Sequence, residues 1–279
     1  MNSSGLSFTK FLPRPARREP IITEPARYIK MTTFGPGIQP PHTDPHTFYL
    51  RKCLALAERS PPRPTNFRVG AILVSRKTDH HDPKKETGDI TDDRILSSGY
   101  TMELAGNTHA EQCCLANLAA VHGIPDDRVA EILPYEVGRK LVMYVTMEPC
   151  GRRLSGNTPC VQRIVATRNS SSSNGDGDGD GFKRLGIEKV YFGVKEPGTF
   201  VGQSEGCKIL TEAGIEWELV SGLEREILQV AVAGHENRDE EIRAALGTDV
   251  DDISVEERRR QEQLPRNPKK RMMEVDLTT

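Results

Sequence analysis

Hydrophobic and polar positions change rhythm along this chain, and each change marks an element. In "FYLRKCLALAERS" the residues Leu50, Cys53, Leu54 and Ala57 recur at helical spacing, and the prolines of "PPRPTN" end the run. "VGAILVS" (69–75) and "RILSSGYTM" (94–102) read as two strands joined by a charged connector. A helix is expected from 109 to about 121, then a strand at "KLVMYVTM" and a helix opening at "TPCVQRIVAT". "EKVYFGV" reads as a strand, "QSEGCKILTEAG" as a helix stopped by Gly214, and "IEWELV" as a further strand. "SGLEREILQVAVAGHENRDEEIRAAL" reads as one last helix.

Strands that alternate with helices must cross over to pair in parallel, which buries both faces of the sheet. The expectation is therefore an α/β layered fold with helices on both sides. Residues 1–45, rich in Pro, Thr and Arg without hydrophobic period, read as a flexible arm, and 46–236 as the folded domain. Residues 237–279 read as a charged C-terminal helix and tail.

Two segments invite a metal reading that does not hold. In "NSSSSNGDGDGDG" Asp176, Asp178, Asp180 and Gly181 match the start of a calcium loop, but the closing glutamate should stand at Ile187, and Glu188 comes one place late. The segment at about 169–181 is read instead as a flexible surface insertion. His80 and His81, at the tip of the charged connector, read as solvated loop histidines.

Charge narrows the class of partner. The 38 basic and 40 acidic residues leave a net charge of -2, so there is no overall field to draw in nucleic acid or an anionic membrane. Only the tail run "RRRQEQLPRNPKK" offers a local basic patch, as a nuclear-import signal or a solvated surface. With no apolar run of about 18 residues and no secretory h-region, a cytoplasmic protein without membrane partners is expected. In such a reducing compartment six cysteines point to metal rather than to disulfides.

"NTHAEQCCLANLAA" sets His109 and Glu111 at a helix start, where Thr108 and Glu111 also fit a capping box. The second segment, "VTMEPCGRRLSGNTPCVQRI", changes the balance. His-x-Glu followed by Pro-Cys and a further Cys is the pattern of zinc deaminases, read here as His109, Glu111, Cys150 and Cys160. One imidazole and two thiolates give a single zinc per chain three protein ligands and leave a fourth position for water, which zinc acidifies toward neutrality. Glu111 is then the proton shuttle. Thr158 is the expected cap of the helix at Cys160, with Pro159 in its first position, so that the helix dipole favours a Cys160 thiolate.

From about 47 to 235 the chain resembles the deaminases of riboflavin biosynthesis, in the cytidine deaminase-like superfamily, and within them the stand-alone fungal form. The likeness rests on "PTNFRVGAILV", "THAEQCCL", "MEPCGRRLSGNTPCVQRI" and "GVKEPGTFVGQSEGCKILTEAGIEW", and the long inter-cysteine loop separates it from the P-C-x-x-C nucleoside and tRNA deaminases. The resemblance implies a three-layer fold around a mixed five-stranded sheet. It implies hydrolytic loss of the 2-amino group from 2,5-diamino-6-ribitylamino-4(3H)-pyrimidinone 5'-phosphate, with Asn66, Arg153, Ser155 and Asn157 as substrate contacts. A homodimer is implied as well. A nucleic-acid base deaminase would share the zinc residues, but an aromatic content of 5% and near-neutral charge speak against it. A catalytically dead, zinc-binding deaminase-like subunit would be expected to lack Glu111, which is present.

Overall fold

The computed structural model describes residues 44–79, 82, 85–168, 186–197 and 205–247, all within the unit Met31–Thr279. His80 and His81, the insertion at 169–181, the arm up to residue 43 and the tail from 248 lie outside these residues.

Helix α1, Pro45–Ala57, begins three residues before Phe48, where the periodic run opens. Asp44 caps it by accepting the Thr47 amide at 2.9 Å, and Pro45 takes the first turn, where its missing N–H costs nothing. Next come β1, Gly70–Lys77, and β2, Arg94–Tyr100. Helix α2, Ala110–Val121, is followed by a short 3-10 turn at Asp126–Glu131, β3 at Arg139–Met147 and α3 at Cys160–Ala166. The remaining elements are β4, Lys189–Val194; α4, Gly206–Glu212; β5, Glu216–Leu219; α5, Glu224–Ala231; and α6, Arg238–Leu246.

The five strands form one mixed sheet in the order β2-β1-β3-β4-β5. β1 runs antiparallel to both β2 and β3, and β3, β4 and β5 run parallel to one another. Alternate residues of each strand serve opposite layers. Ala71, Leu73, Met143, Val145, Val190 and Phe192 face α2, α3 and α4, where Cys114, Leu115, Leu118, Ile164 and Leu210 complete a core. Ile72, Val74, Val142, Tyr144 and Tyr191 face α1 and α5, against Tyr49, Leu50, Cys53, Ile227 and Leu228. The three-layer α/β sandwich with a mixed five-stranded sheet is thus the observed architecture, and Cys53, Cys113 and Cys114 belong to its core.

The single helix expected after β5 is two helices. Gly234 packs so tightly on the backbone of Pro62 and Arg63 that a Cβ there would collide with it, and the chain bends at this contact before α6 begins. The Arg68 amide also donates to the Ala231 carbonyl at 2.9 Å. The segment leading into β1 is therefore held against the α5–α6 junction.

Candidate active site

A cavity of about 350 Å³ opens at the C-terminal end of β3, beside the point where the sheet changes from antiparallel to parallel pairing. That position is where open α/β sheets leave a crevice between diverging connections. Its walls include Asn66, Thr101, Asn107, His109, Glu111, Glu148, Cys150, Arg152, Arg153 and Ser155.

His109 stands at the N-cap of α2, and Glu111 is the second residue of that helix. The capping box does not form. The Thr108 hydroxyl donates to the Leu104 carbonyl at 3.0 Å, and His109 makes no side-chain cap bond, because the helix starts one residue later than a Thr108 cap requires. Glu111 is thereby released to point into the site.

α3 shows a similar shift. Pro159, with ψ 155, occupies the cap position itself, no side chain caps the helix, and Cys160 becomes its first residue. The open helix end serves Cys150 instead. The Cys160 amide donates to Cys150 Sγ at 3.4 Å and the Val161 amide to the Cys150 carbonyl at 3.3 Å. These two bonds bring the cysteines together although ten positions separate them.

The nitrogen His109 Nδ1 lies 3.5 Å from each sulfur, and the three donor atoms all fall within 4.8 Å of one another. Zinc bonded tetrahedrally to nitrogen and sulfur at ordinary lengths sets an N···S edge of about 3.6 Å, so the spacing fits that ion. The donor set, one imidazole and two sulfurs, fits it equally. Among the described residues no other cluster of His, Cys, Asp and Glu has this form.

Electrostatics distinguish the two sulfurs. The Cys160 thiol, with the His109 ring and the Cys160 amide after it, holds Cys150 down at about 4. The Cys160 thiol moves up, chiefly through its bond to Cys150 and its own burial. The Cys160 amide, at the open start of α3, is directed at Cys150 Sγ. Glu111 is buried, and burial first, then the charge of Cys150, pushes its carboxyl up to about 7. The Cys160 thiol donates to Glu111 Oε2 at 3.3 Å, which sets the carboxylate directly beside the three-donor cluster.

Asn66 approaches from the loop before β1. Its Nδ2 donates to Asn107 Oδ1 at 2.7 Å, Thr65 Oγ1 donates to its Oδ1 at 3.0 Å, and His235 Nε2 lies 3.2 Å from its carbonyl oxygen. His235 Nδ1 in turn meets Glu241 Oε2 at 2.8 Å, so α6 steadies the wall of the cavity. Arg153 and Ser155 also line the cavity, whereas Asn157, on the exposed side of the loop, does not.

Several residues on or behind the cavity wall have no clear signal in the sequence. Glu148, buried, accepts the Cys207 amide at 2.9 Å through Oε1 and the Glu196 amide at 3.4 Å through Oε2, tying the β4–α4 connection to the end of β3. A Cβ on Gly206 would strike the Pro149 carbonyl, so glycine is required where α4 begins beside Cys150. Asn107 and Gln112 flank the His-x-Glu motif, and Arg152 adjoins Arg153. Their proximity to the motifs was the only available signal.

Three comparisons with known proteins bear on this geometry. The family described as the cytidine and deoxycytidylate deaminase zinc-binding region matches residues 89–172. The Schizosaccharomyces pombe diaminohydroxyphosphoribosylamino-pyrimidine deaminase is 30% identical over 190 residues, 68% of this chain, and the chain spans 36% of that relative's length. The crystal structure of a C-terminal deletion mutant of Aspergillus oryzae Rib2 deaminase at pH 6.5 is 65% identical, with a TM-score of 0.61, covering 73% of this chain and 99% of the other. The same enzyme in complex with DARIPP is 66% identical, with a TM-score of 0.62, covering 74% of this chain and all of the other.

Proposed function

The chain belongs to the Rib2 deaminase family, and from that membership we propose that it removes the 2-amino group of 2,5-diamino-6-ribitylamino-4(3H)-pyrimidinone 5'-phosphate by hydrolysis, releasing ammonia. The observation that carries this reading is the buried carboxylate of Glu111 beside the His109, Cys150 and Cys160 donors, at the floor of a cavity of about 350 Å³. The complex of the 66% identical relative with DARIPP supports a small-molecule ligand of this class.

Bound zinc supplies the Lewis acidity that makes water a nucleophile near neutral pH. His109, Cys150 and Cys160 would hold the ion. Glu111 accepts the proton that water loses, passes it to the ring nitrogen beside the reacting carbon, and delivers a proton to the amino group as it departs. Water contributes the oxygen of the new carbonyl, and nitrogen leaves as ammonia. Asn66, fixed by Asn107 and Thr65, presents an amide to the ring, which suits a substrate edge that carries both donors and acceptors.

The same proposal takes residues 46–236 as the catalytic domain, a homodimer as the assembly, and the cytoplasm as the compartment. None of the described helices is long and apolar enough to cross a membrane. Nucleic acid is not the substrate in this reading. Against a nucleic-acid deaminase stand the near-neutral charge and the inter-cysteine loop that overhangs the cavity.

An ammonia-release assay tests the proposal. Turnover of the pyrimidinone phosphate, with none of tRNA or single-stranded DNA, is expected. Turnover of the nucleic acids alone would replace it.

A further inference from the structure

The loop between the two cysteine ligands carries adjacent arginines, Arg152 and Arg153, and the fold treats them differently. Arg153 turns inward and is 8% exposed. Its Nη1 donates to Gln112 Oε1 at 3.0 Å and its Nη2 to the Asn107 carbonyl at 2.6 Å. Gln112 follows Glu111 on α2, and Asn107 both precedes the Thr108-His109 step and holds the Asn66 amide at 2.7 Å. Arg153 thus fastens the loop that spans two metal ligands to the segment bearing the third ligand and the proton shuttle.

Arg152 lines the same cavity but is exposed, and among the described residues its guanidinium has no protein partner. Among the described residues, apart from the candidate metal ligands, the charged side chains on the cavity wall are these two arginines and the carboxylates of Glu111, Glu148 and Glu196. A phosphate dianion entering such a site needs a cation to offset those carboxylates. A guanidinium offers it a planar pair of donors. The two terminal nitrogens of Arg153 already donate to the protein. Moving that guanidinium out to meet a phosphate would leave the Asn107 carbonyl and the Gln112 amide oxygen without their bonds, which opposes binding. Arg152 has no such obligation. Ser155 also lines the cavity and brings a hydroxyl donor from the same loop.

We propose that the two arginines divide the work: Arg152 is the cation that binds the substrate's phosphate, and Arg153 is a positioning residue that locks the inter-cysteine loop onto α2 and Asn107. The assignment rests on the phosphate-ester substrate proposed above.

The test compares kcat/KM for the pyrimidinone phosphate with kcat/KM for its phosphate-free ribityl analogue, in wild type and in R152Q, R153Q and R153K. In R152Q the preference for the phosphate ester falls by about tenfold or more, chiefly through KM, and inhibition by inorganic phosphate weakens in step. R153Q and R153K lose kcat on both substrates, while the preference stays within about twofold of wild type and zinc content stays near one per chain. The lysine variant does not rescue, because a single ammonium lacks the planar fork that meets two fixed acceptors. If R153Q folds poorly, R153K together with phosphate inhibition of R152Q still decides the matter. Loss of the phosphate preference in the Arg153 variants, with Arg152 variants unaffected, overturns the assignment. A wild-type protein that shows no preference for the ester refutes the substrate reading itself, and the role of Arg152 falls with it.

Discussion

Sγ of Cys160 and Oε2 of Glu111 stand 3.3 Å apart, which sets a buried carboxylate beside the three side chains, His109, Cys150 and Cys160, that could hold a metal. Glu111→Gln keeps the shape and the burial of the side chain but cannot carry a proton. A fall in kcat of about 10²–10⁴ is expected, the range of a lost general acid–base group. Zinc content, measured by plasma mass spectrometry, should stay near one per chain. Full activity in the variant would remove Glu111 from the mechanism.

Cys160 is wholly buried at the first position of α3, and its amide also supports Cys150. Cys160→Ala should therefore lose zinc and lower the thermal midpoint, since binding energy at such a site is also folding energy. Chelation of the wild-type protein should lower its midpoint in the same direction, and added zinc should restore the wild type but not the variant. Calorimetry with and without metal reads both effects. Equal midpoints in all four states would show that the site contributes nothing to the fold.

Legibility tracked how local each feature is. The strands were readable because Ala71, Leu73 and Val145 alternate with Ile72, Val74 and Tyr144 at a period of two, whichever elements they later meet. That His109, Glu111, Cys150 and Cys160 would lie together is legible because deaminase chemistry restricts both residue type and order. What escaped depends on partners far away in the chain. Nothing near Arg153 announces that it will reach back to Gln112 and Asn107, and nothing near His235 announces that it will hold the carbonyl of Asn66. The break between α5 and α6 follows from contact of Gly234 with the Pro62–Arg63 backbone, and helical periodicity cannot register that contact. Both helix starts, capped at His109 and Pro159, lie one residue beyond the expected Thr108 and Thr158, where local preference is weakest.

On the opposite face of the sheet from α2, Arg76 and Asp93 form an ion pair at 2.9 Å with side chains 1% and 0% exposed. Asp93 also accepts the Tyr49 hydroxyl at 3.0 Å and the Lys77 amide at 3.3 Å. Asp93→Leu strands a guanidinium in the interior and should cost about 3–5 kcal/mol of unfolding free energy in urea. Pairing it with Arg76→Met removes the stranded charge and should recover most of that loss. If the double variant were as unstable as Asp93→Leu, the pair's neighbours rather than its charge would account for the effect.

The same layer contains three hydroxyls whose burial fixes a stability limit at high pH. Tyr49, Tyr144 and Tyr191 stack in sequence, with ring centroids 4.7 Å and 4.9 Å apart, and each is almost fully buried. Burial, ahead of the neighbouring charges, raises all three phenols well above their ordinary range. In the unfolded chain each loses its proton near pH 10, whereas in the folded chain each keeps it. The folded state then binds more protons, so stability is full below about pH 10 and is lost as pH rises beyond it. With three such groups the loss approaches about 4 kcal/mol per pH unit at its steepest. Urea midpoints taken at steps between pH 9 and 11 should fall with increasing slope, and Tyr144→Phe should lessen that slope by about one third. A flat profile through this range would mean that the three hydroxyls ionise inside the folded protein, which their burial forbids.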